Sequence, residues 1–135
     1  MARRVIALLG DPIMNEDGAA TAAITPGMLV EGVTSVAPHS TAAGIARRTF
    51  ALERDEMGKD IDDAYAIGDY VKVGSFSPGQ RVNALVASGQ DISAGEFLES
   101  AGDGTLRAYA AGVRLGVALE AVTATALTRL RVEVY

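Results

Sequence analysis

His39 is the only histidine in the chain, so any acid–base relay has a single imidazole to use, and any histidine metal site must be completed by carboxylates. It lies in Pro38-His39-Ser40-Thr41, a stretch of turn formers that reads as a loop, and is expected to face solvent there rather than act as a base. Ser40 and Ser77 carry the hydroxyls that a nucleophile would need. In Gly74-Ser75-Phe76-Ser77-Pro78-Gly79, however, a serine stands two residues before Ser77, where a nucleophile elbow requires glycine. No hydrolase pattern results.

The most charged stretch runs from Glu53 to Asp63, with Asp55, Glu56, Asp60, Asp62 and Asp63 among its carboxylates. Such oxygens suit a hard divalent cation, but the calcium-loop spacing with its closing glutamate is missing, and the run reads as a solvated connection. In Asn15-Glu16-Asp17-Gly18, Ile13 occupies the position where a cation loop would place its first carboxylate, so this segment reads as a turn. No glycine-rich segment opens a helix to cradle phosphate, which leaves Gly27 and Gly95 as backbone-geometry residues. Tyr65, Tyr70, Tyr109 and Tyr135 lack a spacing suited to stacking on bases or sugars and are assigned to packing. No catalytic, cofactor-binding or metal-ligating residue is assigned, and no cofactor is expected.

These residues must be positioned by a chain of 135 residues, enough for one domain with a real core. Apolar residues make up 49%, but aromatics only 5% with no tryptophan, so the core is built from small and aliphatic side chains. Such a core buries little area per residue, which favours further burial between subunits. A net charge of −5 argues against nucleic acid as a partner, because phosphate contacts need clustered lysine and arginine. The absence of cysteine excludes disulfides and thiolate metal sites. The apolar run Val5 to Leu9 ends at Gly10-Asp11-Pro12, too short for a signal peptide or a bilayer span, so no membrane association is expected.

A short pattern occurs twice. Ile24-Thr25-Pro26-Gly27-Met28-Leu29-Val30-Glu31 aligns with Ile92-Ser93-Ala94-Gly95-Glu96-Phe97-Leu98-Glu99, and Ala42-Ala43-Gly44-Ile45 with Ala110-Ala111-Gly112-Val113, both 68 positions apart. One register held across both matches implies two copies of one β-unit, about residues 24–53 and 92–120, with the acidic stretch as the connection between them. Strands are expected at Ile24 to Glu31 and Gly44 to Glu53, and Tyr70 to Val73 is expected to form a hairpin with Val82 to Val86 across Ser77-Pro78-Gly79. Asp103-Gly104 has the chemistry of a tight hairpin turn. The alternation of Val113, Leu115, Val117 and Leu119, and of Leu130, Val132 and Val134, predicts half-buried strands, with 118–126 as a turn between strands. The fold class read from this pattern is all-β: a small barrel or sandwich of two similar β-units, residues 24–135, behind an extended N-terminal arm, residues 1–23.

The repeated Ile-x-x-Gly, together with Ala64-Tyr65-Ala66-Ile67-Gly68-Asp69-Tyr70-Val71, Pro78-Gly79 and Ser100-Ala101-Gly102-Asp103-Gly104, resembles the small capsid decoration, or cement, proteins of tailed bacteriophages from about Ile24 to Leu119. The resemblance implies a non-enzymatic, β-rich virion protein. It would be a homotrimer, with a dimer as the alternative, on the outer surface of the expanded icosahedral head, clamping neighbouring major capsid protein subunits against the outward push of packaged DNA. The arm is the expected contact to the capsid or to a sister protomer, through Arg3, Arg4, Val5, Ile6, Leu8, Pro12 and Ile13, with Val5 to Leu9 adding a strand to an exposed sheet edge. Two other classes compete. One is a β-barrel binding module for carbohydrate or a host surface, independent of any capsid. The other is a metal enzyme using Glu53, Asp55 or Asp62.

Overall fold

The structure is a computed structural model and describes residues 5–135. Among them the only helical element is one 3-10 turn, Asp55–Met57; everything else regular is strand. The first seven strands are β1 (Ala7–Leu9), β2 (Ile13–Asn15), β3 (Ala19–Ala20), β4 (Val30–Glu31), β5 (Ser35–Pro38), β6 (Thr49–Ala51) and β7 (Val73–Ser75). The later ones are β8 (Arg81–Val86), β9 (Asp91–Ile92), β10 (Phe97–Ser100), β11 (Leu106–Ala108), β12 (Gly116–Ala118), β13 (Val122–Thr123) and β14 (Thr128–Val134).

The second half closes on itself. β8, β11, β10, β12 and β14 are neighbours in that order, and β14 returns to β8 along six residue pairs from Thr128↔Val86 to Glu133↔Arg81. A five-stranded barrel this narrow is filled by side chains, which is why Val82, Ala84, Val86, Leu98, Leu106, Ala118, Leu130, Val132 and Val134 are all buried and all aliphatic. The first half runs the same circuit with its first strand broken in two. β2 pairs with β7 and β3 runs parallel to β5, as the two ends of β8 pair with β14 and β11. The hairpin β4–β5 matches β10–β11, and the bridge Leu29↔Phe50 matches the pair Phe97↔Val117. Even the small pairings agree, since Ile24↔Tyr65 has its counterpart in Ile92↔Val122.

Gly27 and Gly95 make the shared turn possible. Both have positive φ, 95° and 87°, a region that glycine enters without a Cβ penalty. Their amides donate to the carbonyls of Ala51 and Ala118, each at 2.7 Å, and the amides of those alanines donate back to Met28 and Glu96, each at 2.9 Å. Alternation along the strands then divides the core. Val30, Ala51, Val71, Ile24 and Tyr65 fill the first unit, whereas their neighbours Leu29, Phe50 and Leu52 turn outward into the cluster that contains the second unit's core.

Three sequence expectations are corrected. The segment 5–23 does not stand off as an arm: β1 pairs with β8, β2 with β7 and β3 with β5, Ile6 is fully buried, and the Glu53 carboxylate accepts the Ile6 amide at 2.7 Å. Val5 to Leu9 does add to a sheet edge, but to that of its own chain. Tyr70 to Val73 does not pair with Val82 to Val86, because β7 is the last strand of the first unit, between β2 and β6, and β8 opens the barrel of the second, so the turn between them crosses from one unit to the other. The acidic stretch lies inside the first unit, between β6 and Tyr65, where the second unit has only the short turn from Ala118 to Val122. It is an insertion, and no periodic signal separates an insertion from a connection. The strands at Ile24 to Glu31, Gly44 to Glu53 and Val113 to Leu119 are shorter than expected, while the Asp103-Gly104 hairpin turn and the final strand lie where the alternation puts them.

Candidate functional site

Of the polar side chains that looked chemical in sequence, the seam between the two units takes His39 and Asp62. His39 is buried, not solvent-facing. Its Nε2 lies 3.0 Å from the Ile45 carbonyl, which can only accept, so Nε2 donates there, and Nδ1 is hydrogen-bonded to the Ser100 hydroxyl at 2.7 Å. Ser100 Oγ in turn accepts the Gly102 amide at 3.1 Å. With both members buried and no carboxylate bonded to the ring, this pair is a bridge from the first unit to the second.

Further contacts close the seam. Arg129 donates to the Pro26 carbonyl at 2.9 Å and to the Ile61 carbonyl, with Asp62 at 3.6 Å, so that the inserted loop is drawn onto the second barrel. The Gly104 carbonyl accepts the Leu29 amide at 2.8 Å, and the Gly27 carbonyl accepts the Leu85 amide at 3.3 Å. At the far side of the seam the loop 42–45 meets its own repeat: the Val113 amide donates to Ala43, and a Cβ on Gly112 would stand 2.3 Å from the Ala43 carbonyl oxygen.

Glu99 shapes that second loop from inside. It has no solvent exposure, and one carboxylate oxygen accepts the amides of Ala110, Ala111 and Gly112 at 3.0, 3.3 and 3.1 Å while the other takes Arg107 at 2.8 Å. Burial alone would raise this carboxyl; the amides of Ala110 and Gly112, the guanidinium and the amide of Ala111 outweigh it and hold it below its ordinary value. Glu31, its counterpart in the first repeat, does a smaller version of the same task by accepting the Ser40 amide at 2.8 Å. A glutamate closing each copy of the motif is visible in sequence; that it grips backbone is not.

The inserted loop is held by ion pairs. Lys72 reaches Glu56 at 3.2 Å and Asp55 at 3.6 Å, and Arg54 reaches Glu56 at 3.3 Å and Glu16 at 3.5 Å. Partial burial works against the Lys72 charge, but the hydrogen bond and charge of Glu56, with those of Asp55, outweigh it and raise the ammonium above its usual value. Asp60 and Asp63 accept the amides of Asp62 and Asp60, turning their carboxylates onto the loop itself. Among the described residues no three acidic or histidine side chains converge as a metal ion would require. A shallow cleft of about 410 Å³ opens beside the loop, lined by Arg54, Met57, Lys59, Asp63, Tyr65 and Tyr70. Tyr65 forms its floor, with its hydroxyl donating to the Leu52 carbonyl at 2.8 Å; burial raises its pKa.

The expected contact residues separate. Ile6 and Pro12 are buried within the protomer. Leu8 is half-buried, Val5 is exposed, and Ile13 is 77% exposed on the edge strand β2. Arg3 and Arg4 lie outside the described residues. Sequence reasoning named neither Val33 nor Ile45 as a contact and gave Tyr70 to core or interface packing; all three are large, apolar or aromatic, and exposed on the first unit. Among the described residues no helix is long and apolar enough to cross a membrane, which does not bear on strands.

Fold and surface together define an all-β protein, a closed five-stranded barrel packed on a second, similar β-unit, whose buried polar groups are consumed by its own architecture. No protein-family model matches the chain, and no curated protein matches it in sequence. The fold is shared with a solved structure, the crystal structure of the head fiber gp8.5 N base in bacteriophage phi29: the TM-score is 0.59 at 15% sequence identity, over 91% of this chain and 92% of that one.

Proposed function

We propose that this protein is a non-catalytic structural component of a tailed-phage head, a decoration protein that binds the outside of the expanded capsid as a homotrimer and clamps neighbouring major capsid protein subunits. The observation that carries the reading is the likeness, over nearly the full length of both chains, to a protein described as the base of a phage head fiber. The sequence motifs that resemble cement proteins support it independently, as does the self-satisfied character of His39, Ser100 and Glu99, which leaves them no substrate to act on. A ligand that binds the assembled, expanded shell better than free subunits stabilises it by that difference in affinity. Several modest contacts from one oligomer add through effective concentration, so no single deep pocket is required.

Co-sedimentation of the purified protein with undecorated expanded heads and with unexpanded precursors tests the proposal. Saturable binding to expanded heads, and a raised temperature of DNA release, is the expected outcome. Equal binding to both head forms, or none to either, would refute the clamp.

A further inference from the structure

The two units pack front to back. The front of the first unit is formed by Phe50 of β6 with Leu29, Leu52 and Phe76, which flank β4, β6 and β7; all are buried, with Phe50 and Phe76 in a T-shaped contact at 5.7 Å. The back of the second unit covers it, through Leu85, Gly104 and Arg129 on the turn 25–29 and through Val113 on the loop at Ala43. An interface that joins unlike faces of like units leaves one of each unsatisfied, the front of the second unit and the back of the first.

Strand register identifies both. The front of the second unit is Phe97, Val117, Leu119 and Tyr135, matching Leu29, Phe50, Leu52 and Phe76. It repeats the aromatic contact, Phe97 and Tyr135 lying T-shaped at 5.0 Å, yet Tyr135 is 50% exposed. The turn Ser93-Ala94-Gly95 is exposed where Pro26-Gly27 is buried. On the back of the first unit, register puts Ala19 in the place of Leu85 and Tyr70 in that of Arg129, and the 68-residue sequence repeat puts Ile45 in that of Val113. Tyr70 and Ile45 are 62% and 84% exposed. The first unit's exposed apolar side chains therefore sit where the second unit makes its seam.

We infer that a second copy of this chain occupies these faces: the back of its first unit, Ala19, Ile45 and Tyr70, packs on Phe97, Val117, Leu119 and Tyr135 of its neighbour, repeating the internal seam head to tail and closing into a ring. Arg114, stacked over Phe97 at 4.7 Å and Tyr109 at 5.0 Å, borders the front and offers Tyr70 a cation. The inference concerns the free protein and needs no capsid, so it stands or falls separately from head binding.

Sedimentation velocity of the full chain, without heads, tests it through complementation. Wild type is expected to sediment as a concentration-dependent oligomer. Ile45→Glu keeps the front and loses the back; Val117→Glu does the reverse; each alone should be monomeric, and their mixture should form a one-to-one dimer through the remaining good pair of faces. Tyr135→Asp serves in place of Val117→Glu should that variant fail to fold. A wild type that stays monomeric into the millimolar range, unchanged assembly in either variant, or a mixture that yields no dimer overturns the inference. So does a monomeric wild type whose head occupancy falls with Ile45→Glu, because the capsid would then be the occupant.

Discussion

Gly27 and Gly95 occupy one turn of one repeat, yet a Cβ on Gly27 would stand 2.8 Å from the Asn83 carbonyl oxygen, whereas a Cβ on Gly95 would meet nothing within 4 Å. The repeat is thus equal in backbone and unequal in surroundings, since one copy is covered by the other.

Substitution should expose that difference. Gly95→Ala places a Cβ at positive φ and is expected to cost about 1–2 kcal/mol. Gly27→Ala carries the same strain and must also displace the second unit, adding about 1–3 kcal/mol. Urea unfolding of both variants measures it, and equal losses would mean that the seam yields freely.

Glu99 holds the loop 110–113 in shape, and its removal leaves several amides and Arg107 without their acceptor. Glu99→Ala is expected to destabilise by on the order of 3 kcal/mol. Glu99→Gln should lose less, because one carbonyl oxygen remains. Because the folded carboxyl sits below its ordinary value of 4.5, the stability it contributes is complete above that pH and fades as the pH falls through the lowered value. Denaturation midpoints from neutral pH into acid should fall for wild type and flatten for Glu99→Gln.

Glu53 behaves oppositely. Burial raises its pKa against the lowering effect of the Ile6 amide, so its protonated form suits the fold, and the stability it adds is complete below 4.5 and lost as pH rises through the raised value. Glu53→Gln, which can still accept the Ile6 amide, is expected to match or exceed wild-type stability at pH 7 and to lose that advantage in acid. Thermal midpoints at both pH values decide it; a large loss at pH 7 would show that the charge itself is needed.

Ile6 is fully buried at the seam, near the position a Cβ of Gly27 would take. Ile6→Ala should cost about 2–5 kcal/mol, as large-to-small core changes do. Deleting residues 2–10 should destabilise the whole fold, which makes it a test of stability, not of an arm. A truncated chain with an unchanged unfolding midpoint would contradict the packing described.

Composition and alternation made the all-β class legible, and the repeated Ile-x-x-Gly with its closing glutamate marked the two units, because a positive-φ turn and a strand face demand particular residue types wherever they occur. The hairpin at Asp103-Gly104 and the terminal strand were readable for the same reason. The segment 5–23 was not, since strands of only two and three residues carry no period, and their pairing is decided by distant partners such as Val82 and Val73.

By itself the sequence determined what is local: which turns admit only glycine, which residues alternate, and that one unit occurs twice. Tertiary structure alone decided that His39 is buried against Ser100, that the acidic run is an insertion drawn across the seam by Arg129, and which copy of each face is covered. Those outcomes depend on contacts between residues far apart in the chain, and two similar stretches of sequence acquire different environments as soon as one of them packs on the other.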